Sequence, residues 1–484
     1  MRKELAAGWL PAQLAVADPM KPTIRPHHRS HLAFRRAIGL ASCAGLALTL
    51  VTACSGSASP QQDATEQSTT VESPGEQDAH DAAEPASDAS ETAARTPRIA
   101  IAYDGGVQVR DATSLDLVAD IPLDGFLRLN PAGDERHVLV TIAETGFQLL
   151  DLGVWAVGHG DHDHYFAADP VLTDILFPAG RPGHAVPHDG ATALFDDSTG
   201  GVTVLDQAEL AEGDHAIVRQ YTSPAAHHGV AVVLPDGTLV VSNGTEEGRT
   251  GIFAFDSADT QIVESDECPG LHGEAVSAGE AVTFGCSDGV LIYRDGTVVK
   301  AFAPDEGGAT SAMAGTESSP IALGNYNIEG ADPSEPARVA LVDTVAGTER
   351  SLEVPAAFNS FGMSRLDDGS GVILGTDGAL HVIDVDAGAV SASHPVIDPW
   401  EIPEEWTDPS PKMKVLDGMV YVTDAANSSL VVVDPVTGDI WKTVDLGVVP
   451  GEIAGVSGQG PASHSHTEED HDHDHDHDHD HEDA

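Results

Sequence analysis

Positive charge is scarce in this chain: 23 Lys and Arg stand against 78 Asp and Glu over 484 residues, a formal net charge of −55. A nucleic-acid partner is excluded on that ground, since phosphate would be repelled rather than neutralised. Cysteine is scarce too, with four in the whole chain. A cysteine-based zinc site needs more thiolates at tighter spacing, so that class is set aside. Long apolar runs are also missing. The longest, Ala37 to Leu50, is too short and too rich in Gly and Ala to read as a membrane span. Helix-period segments are nearly absent from the body of the chain.

The apolar run has another use. It follows a basic stretch with Arg29, Arg35 and Arg36 and precedes Val51-Thr52-Ala53-Cys54-Ser55-Gly56. A basic region, a short apolar region and small residues before a cleavage point make a secretory signal. The small residues before Cys54 resemble a bacterial lipobox, which implies cleavage there and a diacylglycerol on the Cys54 sulfur. The residues before Met20 are unlike the start of such a signal and point to a start at Met20. Export also bears on Cys268 and Cys286, the pair left in the body, which reads first as a disulfide. From Ser55 to Thr96 the chain has one large apolar residue, Val71, and is expected to be a disordered tether.

The body carries many short alternating strands separated by turn signals such as Pro235-Asp236-Gly237, Arg294-Asp295-Gly296 and Thr376-Asp377-Gly378. A four-strand unit is clear at Met413–Leu416, Met419–Thr423, Leu430–Asp434 and Trp441–Val444, and the same order recurs upstream. Four-strand units of about 40–45 residues are the signature of propeller blades. The expected fold is therefore all-β, a β-propeller of seven or eight four-stranded blades, with eight favoured. Gly451–Val456 would supply the strand missing from an incomplete N-terminal set, closing the ring. The expected organisation is a signal peptide with lipobox over 1–53, a tether over 54–96, a propeller over 97–457 and a disordered tail over 458–484.

Histidines fall in register with this repeat. His184, His228 and His272 are spaced by 44 residues and then by 44, each at the start of an innermost strand. Ring closure brings such positions to one end of the central channel. Zinc takes about four N, S or O ligands, and neutral imidazole suits it. His188 and His227 lie nearby in sequence, and Asp189 or Glu274 is expected as a fourth ligand or as an acceptor that fixes a ring. A second cluster, His159, His162 and His164, sits in a Gly-rich insertion of the second blade, expected to be flexible. The third is the tail, where His471, His473, His475, His477, His479 and His481 alternate with Asp. Such a tract is disordered without metal and binds it weakly at overlapping sites.

The stretches Pro182–Gly190, His227–Ala231 and Cys268–Glu274, with the Gly285-Cys286-Ser287-Asp288-Gly289 that follows, resemble the AztD family of bacterial zinc metallochaperones. The resemblance extends from about Pro97 to Val456. It implies a β-propeller outside the cytoplasm that holds Zn(2+) and passes it to the solute-binding protein of a zinc ABC transporter. It also implies that His-rich segments, here His159, His162, His164 and the tail, assist acquisition or transfer. The expected function is thus a non-enzymatic zinc metallochaperone anchored to the cell membrane as a lipoprotein. The alternatives are a propeller module gripping protein or glycan, and a zinc-dependent hydrolase or lactonase. If Cys54 carries the anchor, Cys54→Ala is expected to move the protein from the membrane fraction to the soluble fraction of the producing cell. Retention of the variant with the membrane would refute the lipobox reading.

Overall fold

In the computed structural model, residues 89–159, 162–330 and 336–460 are described. The export segment with Cys54 and the tail from His464 to His481 lie outside them. Among the described residues no helix is long and apolar enough to cross a membrane.

The strand sequences carry apolar residues on both faces. Arg98–Tyr103 reads RIAIAY, and Ser429–Val433, SLVVV, is buried throughout. Strands of this kind need cover on both sides, and stacked blades supply it. Ile99 and Ile101 face one neighbouring sheet, while Ala100 and Ala102, on the opposite pleat, face the other. Among the described residues eight four-stranded antiparallel sheets are present; six run outward through four successive strands, and the first takes its innermost strand from the far end of the body. The second blade is interrupted before its outermost strand by an inserted hairpin.

Among the described residues the core consists of eight apolar clusters, one between each pair of adjacent blades, the eighth and first included. A ring of eight blades has eight such interfaces, so the count decides for the eight-bladed β-propeller. The sheet that closes the ring combines both ends of the body: Pro450–Val456 pairs with Arg98–Tyr103, Ile99 opposite Gly455 and Ala100 opposite Ala454. This is the closure expected from the sequence. It covers the inner edge of Arg98–Tyr103 and gives the first blade its fourth strand.

Two segments differ from expectation. Ser90–Thr92, assigned to the tether, forms a strand against His162–Ala167. The insertion holding His159, His162 and His164 is a strand pair, Val154–His159 against His162–Ala167, rather than an irregular connector. Trp155 and Phe166 stack across it with centroids 5.6 Å apart, and cross-strand aromatic pairs of this sort favour hairpin order over loop flexibility. Cys268 and Cys286 are brought together in the fifth blade, their Cα atoms 5.1 Å apart.

Because Ile101 lies fully buried at the junction of first and eighth blades, Ile101→Ala is expected to cost about 2–5 kcal/mol in reversible denaturation. Trp441→Ala, at a residue 67% exposed on an outer strand, is expected to change stability by no more than about 0.5 kcal/mol. Equal effects would argue against a core shared between the two ends of the chain.

Candidate metal centre

Three innermost strands deliver the central histidines, and each does so where the backbone is irregular. His184 lies in Pro182–His188 at a register shift between Pro182 and Ala185. His272 opens the strand His272–Ser277, with a shift between His272 and Glu274. His228 lies just ahead of Ala231–Val233. Bulges at strand ends re-aim side chains, and here they turn the His184 and His272 rings toward His228. Gly273 makes one of them possible: its φ is +73°, and a Cβ there would stand 2.4 Å from the Ser311 carbonyl oxygen.

The ring centroids are 5.2 Å apart for His184 and His228, 5.8 Å for His184 and His272, and 5.3 Å for His228 and His272. One nitrogen from each ring lies within 4.8 Å of the others, close enough to share a metal ion. Each ring also has an acceptor at Nδ1. His228 Nδ1 is 2.6 Å from Asp197 Oδ2, His184 Nδ1 is 3.2 Å from Glu274 Oε2, and His272 Nδ1 is 2.9 Å from the Ser311 carbonyl oxygen. A neutral imidazole that donates from Nδ1 presents a lone pair at Nε2. All three rings are thereby set to offer Nε2.

The surroundings pull the charge of the rings in different directions. Burial disfavours the His184 cation, but the Glu274 carboxylate outweighs it, and the pKa is raised. At His272 burial prevails, with His184, His228 and Arg249 acting the same way against the Ser311 carbonyl, and the pKa is lowered. The centre opens into a cavity of about 550 Å³ lined also by Arg128, Met313, Phe361 and Trp406. Three nitrogen donors with one open position suit a tetrahedral ion such as zinc.

Other expected ligands lie elsewhere. His188 sits four residues along the strand from His184 and pairs with Glu280, Nε2 to Oε2 2.7 Å. His227 is fully buried, its Nδ1 2.9 Å from the Ala225 carbonyl, its Nε2 3.0 Å from Ser242 Oγ, and its ring against Phe195. With both nitrogens engaged it is a packing residue. Asp189, next to His188 in a turn with φ 37°, is likewise outside the cluster. Glu274 is placed as an acceptor rather than a ligand. The second cluster does come together: His159, His162 and His164 present donors within 4.8 Å, and His164 Nδ1 is 2.6 Å from Glu91 Oε1. Asp197 was not singled out by sequence, and no spacing signal marks it. The Ser311 acceptor is a main-chain atom, which sequence cannot distinguish.

Fold and site together define an eight-bladed β-propeller with a three-histidine centre at the end of its innermost strands. The chain is similar to the zinc chaperone AztD of Citrobacter koseri, 26% identical over 367 residues that span 73% of this chain and 84% of the relative. Crystal structures of Citrobacter koseri AztD, one of them the apo form, match with a TM-score of 0.64 at 25% identity, covering 76% of this chain and 99% of theirs. No family model matches the chain. The resemblance drawn from the histidine motifs therefore holds in sequence and in fold.

If Asp197 fixes the ring of His228, Asp197→Asn is expected to weaken zinc binding about 10–100-fold in competition with a chelator. Glu280→Gln, which touches only the His188 pair, is expected to leave that affinity alone. Unchanged affinity in Asp197→Asn would show that this carboxylate does not hold a metal ligand.

Proposed function

We propose that this protein is an extracytoplasmic zinc chaperone that binds zinc at His184, His228 and His272 and delivers it to the solute-binding protein of a zinc ABC transporter. The observation that carries the reading is the convergence of three repeat-spaced imidazoles within 4.8 Å, each with its Nδ1 at an acceptor. The name of the similar protein, a zinc chaperone, supports cargo rather than catalysis. Neutral nitrogen donors bind zinc firmly, and acceptors behind them raise their basicity. Three ligands leave a coordination position open, through which an incoming ligand can attack before the old ones let go. Transfer by ligand exchange needs that opening.

The remaining features serve the same task. The hairpin cluster His159, His162 and His164 and the tail histidines from His471 to His481 gather zinc at weaker sites. Cys54 anchors the chain to the membrane, and Cys268 and Cys286 close a disulfide in the oxidising exterior.

Equilibrium dialysis of the full chain with zinc tests the central claim of binding. A tight site is expected to survive deletion of residues 464–484 and to be lost in the triple variant His184→Ala/His228→Ala/His272→Ala. A triple variant that keeps the parent's tight site would remove these residues as the cargo centre. Delivery is tested separately, by zinc appearing in an apo solute-binding protein faster than free dissociation allows.

A further inference from the structure

Arg128 belongs to the innermost strand Leu127–Pro131 of the second blade, the blade immediately before that of His184. Going round the ring, Arg128, His184, His228 and His272 come from four consecutive blades and line one cavity of about 550 Å³. The Arg128 Nε atom is buried and has no hydrogen-bond partner. Its guanidinium carbon lies 5.8 Å from the ring centroid of Trp406, which in turn meets Phe126 edge-on at 5.4 Å. An aromatic face holds a guanidinium in place without using its N–H groups. The buried Nε–H remains to be satisfied, and a buried donor without an acceptor is costly.

The charge around the centre points the same way. Asp197 and Glu274 stand behind the imidazoles, while Arg128 and Arg249 act on them as cations. Lys412 is paired with Glu452, 3.3 Å away. The two carboxylates offset the two guanidinium groups, so a divalent ion among neutral rings adds uncompensated positive charge. An anion in the cavity would relieve it.

We propose that Arg128 makes this cavity a carboxylate subsite: a carboxylate enters between the guanidinium and the open position of the three-histidine centre, one oxygen on the metal and the other on Arg128. Guanidinium and carboxylate match as planar forks, which fixes the angle of approach. This inference rests on the three-histidine reading and deepens it by naming the class of the fourth ligand. The carboxylate has two sources, a small dissolved acid or an Asp or Glu side chain carried by the protein that receives the zinc. In the second case Arg128 guides the incoming ligand of the exchange.

Cobalt(II) at half an equivalent, which fills the tightest site of the full chain first, gives a visible absorption band that reports its coordination. Acetate is titrated into the parent and into Arg128→Gln, each followed against its own starting spectrum. The half-change concentration is expected to be about tenfold or more lower in the parent, the range of one charge-assisted hydrogen bond. Arg128→Lys, which keeps charge but loses the fork, is expected to fall between. A second arm replaces acetate by the peptide acetyl-Gly-Glu-Gly-amide; a lower half-change concentration than acetate assigns the carboxylate to a polypeptide, and a higher one to a small acid. Equal acetate response in parent and Arg128→Gln, or none in the parent, overturns the subsite while leaving the metal centre standing. No tetrahedral cobalt band in the parent overturns the metal centre and the subsite with it.

Discussion

Strand Pro450–Val456, laid along Arg98–Tyr103, is the contact on which the rest of the molecule depends. It joins residues more than three hundred positions apart and converts a row of similar sheets into a closed ring. Without it the first and eighth blades would expose the faces that carry Ile99, Ile101, Leu430 and Val432. Closure also sets the distances at the centre. Positions a repeat apart in an open stack diverge, whereas in a ring their innermost strands turn about one axis. Three imidazoles from three blades meet because the ring has nowhere else to put them.

The convergence of rings is a consequence of fold, but the readiness of the rings is a consequence of charge. Asp197, Glu274 and the Ser311 carbonyl occupy every Nδ1 in the centre. That division of labour resembles other metal sites, where an outer acceptor fixes tautomer and direction together. Burial lowers both the His184 and the His272 pKa; the Glu274 carboxylate overturns it at His184, whereas the neutral Ser311 carbonyl does not at His272. His227 shows the contrast. It adjoins His228 in sequence, yet Ser242 and the Ala225 carbonyl take both its nitrogens and it contributes only packing.

Much of this was legible in the sequence, for reasons that differ by element. Four-strand units with Gly/Asp turns showed the propeller, and the stray C-terminal strand at Gly451–Val456 showed its closure, because a repeat pattern is local and a ring follows from it. The 44-residue spacing singled out His184, His228 and His272. Proximity along the chain misled for His188 and His227: a strand carries its fifth residue far from its first, and His227, in the segment ahead of Ala231–Val233, turns its ring to Ser242 and the Ala225 carbonyl. Asp197 could not be found by spacing, since its role depends on which blade lies beside it. Ser311 acts through its main chain, so its identity carried no signal. The hairpin at His159 to His164 looked like a loop because Gly158 and Gly160 outweighed the strand-forming residues on either side.

X-ray absorption spectroscopy of the full chain loaded with less than one equivalent of zinc reads the first coordination shell directly. A four-coordinate ion with three imidazole nitrogens at about 2.0–2.1 Å and one further light atom is expected. A six-coordinate shell dominated by oxygen, or one with a single imidazole, would mean that the ring does not bring His184, His228 and His272 to a common ion.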